Sequence, residues 1–426
     1  MNKVIYILLS FTLLLLNGCK SPEKNRITTK TDRIELYDRV WNTVNEQFYD
    51  PNFNDVDWKA KYEEYKPLVE NCTENDSLFI LLNDLLFELN SSHCGIGPIS
   101  KLENNLSPYL FADGIIGIDI RIIDNEILIT RVSPNSVAAT SGLKVGYVIK
   151  KIDGLSLDDL KRSTNPRPPF NDRNAKFYLT TEVLRYIYGK PASKVIIEYL
   201  DEYSNQRSAH LIRTKRKHST ILTDVLPPVF LESESFFIND SIAYLAFNAF
   251  QPEGLSHVMA DLQKVMQAKG LVIDLRGNDG GSIAAMKLLL GKFVTRRTKW
   301  GTYSNRHENN EDFIEPVGEK YKGKVVVLVD EMSISGAENT PAIIQHLNIA
   351  TIIGMRTPGQ LLWGDSSFIN DSILMVLPIF KIEYPNGYNP ENNGVEPDIE
   401  IALDKKDLLK GIDTQLAKAI EFLSNK

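Results

Sequence analysis

Two stretches of this chain constrain its fold more than any other feature. GLVIDLRGNDGGS (270–282) and KVVVLVDEMSISGAE (324–338) each run from a continuous apolar segment into a turn of small and polar residues. An apolar run without alternation is the pattern of a strand covered on both faces, as in a parallel sheet with helices on either side. The surrounding pattern agrees. Strand-like Ile242–Leu245, helical 253–268, strand-like Gly270–Leu275 and helical 282–293 follow one another. Then come strand-like Lys324–Val329, helical 336–347 and strand-like Ala350–Gly354. Such alternation predicts an α/β layer structure whose sites lie at strand ends. An amphipathic helix over 406–423 closes the chain.

The segments before this core read differently. From Ile34 to Asn90 apolar residues recur at helical spacing (Leu36, Val40, Val44, Phe48; Leu78, Leu82, Leu85, Leu89), interrupted at Asp50-Pro51-Asn52. This helical unit stops at Asn90-Ser91-Ser92-His93. From Gly114 to Tyr199 short β-type runs take over, with SPNSVAATSGLKVGYVIKKIDG at their centre. That order resembles a PDZ domain, with Phe177–Tyr188 as groove helix and Val195–Ile197 as closing strand. The resemblance implies peptide binding by strand addition along Gly117, Ile118, Asp119 and Ile120; a PDZ that serves only as a packed lid is the alternative.

Residues 1–18 carry one lysine and then a largely apolar run ending at Gly18-Cys19. The run is short for a bilayer span and reads as a secretory signal peptide. Leu16-Asn17-Gly18-Cys19 resembles the lipobox of bacterial lipoproteins, which implies lipidation of Cys19 and a cell-envelope location; plain secretion is the alternative. The expected organisation is a signal peptide 1–18, a tether 19–31, a helical unit 32–105, a PDZ-like unit 110–205 and the α/β core 215–426. A length of 426 residues allows about three domains. A formal charge of −7 without a basic block gives no footprint for nucleic acid. Three cysteines exclude a disulfide framework and a four-thiolate zinc site. Cys94, beside His93, reads as a small buried or disulfide-bonded residue rather than a nucleophile.

The chemistry concentrates in the turns. A glycine-rich bend at 277–281 leaves backbone N–H groups free for an anion, and the Walker pattern of a phosphate loop is absent. At Ser333-Ile334-Ser335 a serine meets a helix start, where it either caps the helix or stands as an exposed nucleophile. Spacing alone favours the cap.

GLVIDLRGNDGGS, VVVLVDEMSISGAE, IIGMRTPGQ and ENNGVEPDI occur in that order behind the PDZ-like unit. Together they resemble the C-terminal processing (tail-specific) serine peptidases and the related tricorn core. The resemblance implies a crotonase- or ClpP-like α/β core and an S-x-S-x-[SA]-E turn with Ser335 as nucleophile. It also implies an oxyanion hole formed by Gly336 with Gly280 or Gly281.

The tail-specific branch takes its base from a lysine in a G-E-R-T-x-G-K-type segment, where this chain has Gln360. An amide cannot accept the serine proton, so a different base is required. Of the six histidines, His346 lies about 16 Å along the helix from Ser335 at ~1.5 Å per residue. His257, His210, His218 and His307 fall on polar stretches. His93 matches the tricorn branch's G-T-S-H-type turn, with Ser92 as the assisting serine of that branch. Glu391 matches its E-N-x-G-V-x-P-D-like segment, with Glu396 and Asp398 as competing acids. The expectation is an exported, lipid-anchored serine endopeptidase acting on peptides or proteins through Ser335, His93, Glu391 and Ser92. It would need no metal or cofactor. A catalytically silent binder on the same scaffold is the alternative, since relatives of this fold bind retinoids without proteolysis.

Overall fold

The computed structural model describes residues 27, 29–104, 107–164, 167–217, 219–220 and 228–425. The expected signal peptide, Cys19, most of the tether and His218 lie outside the described residues.

Three helices open the fold: α1 (Lys30–Gln47), α2 (Trp58–Asn71) and α3 (Asn75–Phe87). Helix α1 begins inside the expected tether, because Thr29 caps it in a reciprocal box with Asp32. The apolar faces of α1 and α3 meet around Leu36, Val40, Leu78, Leu82 and Leu85. Strand β1 (Gly95–Pro98) then leaves the helical unit.

The inserted unit is a sheet of β2 (Ile118–Ile123), β3 (Glu126–Val132), β4 (Val148–Ile152), β5 (Lys194–Leu200) and β6 (Gln206–Ile212), in the order β2-β3-β4-β5-β6. Between β4 and β5 comes helix α4 (Asp172–Ile187). It starts five residues before the expected Phe177, because Asn171 accepts a bond from the Asn174 N–H and caps it there. Strand β2 lies at the sheet edge.

The core sheet contains β7 (Ser233–Phe237), β8 (Ile242–Phe247), β9 (Gly270–Asp274), β12 (Lys324–Val329), β13 (Thr351–Gly354) and β16 (Ile399–Glu400), in the order β7-β8-β9-β12-β13-β16. All neighbours are parallel except β7 with β8. Helices α5 (Pro252–Lys264), α6 (Ile283–Leu290) and α7 (Gly336–His346) cover one face through Val258, Leu262, Met286, Leu289 and Ile343. On the other face Val272, Val326 and Leu328 pack with Leu416, Ala419 and Ile420. Burial on both faces is why β9 and β12 carry no polar alternation. The single terminal helix expected over 406–423 is two helices, α8 (Lys405–Leu409) and α9 (Thr414–Ser424). Gly411 stands at φ +78° between them, and Asp413 caps the second.

A second sheet was not expected. It comprises β1, β10 (Thr298–Ser304), β11 (Asn309–Ile314), β14 (Trp363–Asn370) and β15 (Ile373–Glu383). Strand β1 pairs antiparallel with β15, Gly95 opposite Val376. Ile373, Met375 and Leu377 also close the helical unit's core. This pairing carries the turn before β1 to the end of the core sheet.

Candidate active site

The turn after β12 is built around two serines with different tasks. Ser333 is fully buried; its Oγ accepts from the Asp330 N–H (3.1 Å) and donates to the Leu275 carbonyl (2.8 Å). Ser335 stands at φ +55° and ψ −117°, a conformation costing a non-glycine residue about 1–3 kcal/mol. Its N–H donates to the Gln360 carbonyl (3.1 Å), and its own carbonyl receives the Glu338 and Asn339 N–H groups (2.8 and 2.9 Å). The Oγ lies 3.3 Å from His93 Nε2.

His93 occupies the turn before β1, at φ +58°. Its Nδ1 lies 3.0 Å from Ser92 Oγ. The Ser92 N–H donates to Glu391 Oε1 (3.1 Å), and the Ser92 hydroxyl also steadies the ionised form of that carboxylate. Glu391 therefore reaches the imidazole through Ser92, a longer relay than direct orientation of the ring by the acid. Glu391 Oε2 accepts from the Leu361 and Leu362 N–H groups (2.7 and 3.2 Å). Burial pushes this carboxyl up to about 7 despite those donors, and burial draws the His93 imidazole down to about 4.

The glycine turn packs backbone against backbone on the nucleophile turn. A β-carbon on Gly280 would fall 2.5 Å from the Ile334 carbonyl oxygen and 2.6 Å from the Gly336 nitrogen. The Gly280 N–H is engaged by Asn278 Oδ1 (2.9 Å), which corrects its expected place among the oxyanion donors. The Gly281 nitrogen lies 3.2 Å from where a β-carbon on Gly336 would stand.

Glu338, one turn into α7, is a site residue that the sequence reading left without a role. It is fully buried and accepts from Thr357 Oγ1 (2.5 Å) and from the Gly359 and Gln360 N–H groups (2.6 and 2.8 Å). Burial raises it to about 7. The signal was its position in the serine motif, three residues after Ser335. Gln360 turns its side chain away from the serine, donating to Asn174 Oδ1 (2.7 Å).

The competing residues lie elsewhere. Asp398 accepts the Ile352 N–H, and Glu396 pairs with Arg356 at the surface. His210, His257 and His307 are exposed, and half-buried His346 ends α7. Cys72 and Cys94 are unpaired, and burial pushes the Cys94 thiol well above its ordinary range. Of the expected peptide-binding residues, Ile118 and Ile120 already have their carbonyls occupied, by the Tyr188 hydroxyl (3.4 Å) and the Arg121 guanidinium (2.8 Å). Gly117 gives its carbonyl to Ser133, and Asp119 pairs with Arg121. These contacts engage part of the strand edge along which a peptide would add. Among the described residues no cluster of His, Cys, Asp or Glu is disposed to hold a metal ion, and no helix is long and apolar enough to cross a membrane.

Residues 241–401 match the model of peptidase family S41, and residues 29–87 match that of the tricorn protease C1 domain. The segment that carries the nucleophile turn is thus an S41 peptidase domain. Tricorn protease homolog 1 of Streptomyces coelicolor is 24% identical over 399 residues, 91% of this chain and 34% of the relative. Carboxy-terminal processing protease CtpB of Bacillus subtilis is 25% identical over 321 residues, 72% of this chain and 61% of CtpB. The chain spans about a third of the length of the tricorn relatives it matches. Solved structures agree in fold. The photosystem II D1 C-terminal processing protease superposes with a TM-score of 0.55 at 17% identity, covering 94% of this chain and 98% of that one. Mature CPAF complexed with lactacystin gives 0.61 at 12% identity, covering 92% and 99%. The S41 span holds the nucleophile turn, the glycine turn and Glu391, whereas His93 lies outside both matched spans.

Proposed function

We propose that this S41 peptidase hydrolyses peptide bonds through Ser335, His93, Ser92 and Glu391, as a tricorn-type endopeptidase. The observation that carries the reading is the 3.3 Å approach of His93 Nε2 to Ser335 Oγ, with Nδ1 held by Ser92. With its basicity lowered by burial, His93 is neutral at physiological pH and able to accept a proton. It takes the Ser335 proton as Oγ bonds to the substrate carbonyl carbon. The resulting oxyanion is received by the Gly336 and Gly281 N–H groups. The imidazolium donates from Nδ1 to Ser92, and the ionised Glu391 stabilises that charge through the Ser92 hydroxyl. His93 then protonates the leaving amine as the C–N bond breaks. Water, deprotonated by the same imidazole, releases the acyl group and restores Ser335.

The core is read as crotonase- or ClpP-like and the inserted unit as a PDZ-type module. The apolar leader and Leu16-Asn17-Gly18-Cys19 support export with lipid attachment at Cys19. Cys19→Ser should release the protein from the membrane fraction; unchanged retention there contradicts this part of the reading. The catalytic reading is tested by following cleavage of an unstructured protein and labelling by a fluorophosphonate. Wild-type protein should cleave the substrate and carry one label on Ser335, and Ser335→Ala should do neither. A wild type that binds the substrate but neither cleaves nor labels would identify a silent binder.

A further inference from the structure

Helix α4 belongs to the inserted unit, yet the polar residues of its N-terminal half are directed into the catalytic centre. Asn171 Nδ2 donates to the carbonyls of Pro358 (2.9 Å) and Asn392 (3.1 Å). Arg173 donates from Nε to the Thr357 carbonyl (3.1 Å) and from Nη2 to the Asn393 carbonyl (2.8 Å). Buried Asn174 accepts from Gln360 Nε2, and Lys176 pairs with Glu331 at 2.7 Å. These contacts reach three separate segments. Residues 357–360 hold Glu338 and the Ser335 N–H, residues 392–393 follow Glu391, and Glu331 lies in the nucleophile turn. Two further contacts bind the same turn to the inserted unit. Arg121 of β2 pairs with Asp330 at 2.6 Å, and Met332 is buried in the unit's apolar core.

We propose that α4 is a positioning element for the peptidase centre, acting through Asn171, Arg173, Asn174 and Lys176 to hold the nucleophile turn and the acid loop in register. The proposal rests on the Ser335–His93 reading. It gives the inserted unit a constitutive part in catalysis, with the chain's own nucleophile turn as that unit's partner. A displacement of about 1 Å at a reacting centre costs about 10²-fold in rate, so loosening these loops should show in kcat.

The test compares the full chain with its Asn171→Ala/Arg173→Ala variant, using kcat, KM, the pH profile and the rate of fluorophosphonate labelling. Expected are a fall in kcat and labelling of about 10- to 100-fold with KM unchanged, and partial recovery when Arg173→Lys replaces Arg173→Ala. The Leu361 and Leu362 N–H groups steady the ionised Glu391, so the rise of activity with pH should also move to higher pH. Arg162→Ala, an exposed arginine of the same unit, should change none of these. Wild-type kcat and labelling in the double variant would overturn the proposal, and so would a rise in KM alone. If the double variant does not fold, Lys176→Ala decides: lower kcat at unchanged KM supports the proposal, and wild-type kcat overturns it. A wild type that fails to label at Ser335 would instead remove the catalytic reading itself.

Discussion

Gly364 of β14 lies against the imidazole of His93: a β-carbon on it would stand 2.8 Å from His93 Cβ and 3.3 Å from Cγ and Cδ2. The strand's backbone thus forms the wall on which the ring rests, and only a residue without a side chain leaves room for it. Gly364→Ala is expected to push the ring off Ser335 and lower kcat/KM by about 10²-fold while the protein stays folded. Steady-state kinetics beside a melting curve checks this.

The pH dependence follows from the two burial-shifted carboxyls. Glu391 and Glu338 are both held up to about 7, so both ionise across neutral pH, whereas His93 at about 4 is already neutral there. Ionised Glu391 stabilises the imidazolium of the transition state, and ionised Glu338 holds the Ser335 N–H. Activity should therefore rise through about pH 7, more steeply than a single ionisation, rather than through the ordinary histidine range of about 6.5. In Glu391→Gln the rise should be shallower and the maximum lower. A kcat/KM profile from pH 4 to 9 measures both.

Gln360 separates a structural amide from a lost base. In Gln360→Ala the Asn174 Oδ1 loses its donor inside the protein, which should cost about 1–3 kcal/mol of stability. The pH profile should keep its shape, since no proton passes through this position. Denaturant unfolding and the kinetic profile together check this.

The half-buried Cys94 thiol, whose ionisation desolvation disfavours, should be inert. Iodoacetamide is expected to leave it unmodified in the native protein at neutral pH, and Cys94→Ser to retain full turnover. Peptide mapping after alkylation reads the first, and an activity assay the second.

The nucleophile and glycine turns were legible because each follows an apolar run long enough to be a doubly covered strand, and because the ordered motifs around them carry the family resemblance. His93 was legible only by motif and by the loss of lysine at position 360. Its turn joins the core through Gly95 opposite Val376, a pairing across a separation that local periodicity cannot report. The hairpin of β14 and β15 was missed for a related reason. Ile373–Glu383 mixes buried and half-buried residues, because β15 pairs with β14, β1 and β10 along different parts of its length. Gly411 and Asp413 did signal the break between α8 and α9, but the apolar spacing across them imitates one helix. The grip of α4 on the catalytic loops had no sequence signal, since Asn171 and Arg173 lie before the expected helix start at Phe177 and belong to no motif.

The central claim is that Ser335 and His93 act as one unit, and a double-mutant cycle on kcat for an unstructured protein tests it most directly. Ser335→Ala and His93→Ala should each lower kcat by several orders of magnitude, and the double variant should be no slower than either. A His93→Ala enzyme that keeps the wild-type rate, or losses that multiply in the double variant, would contradict it.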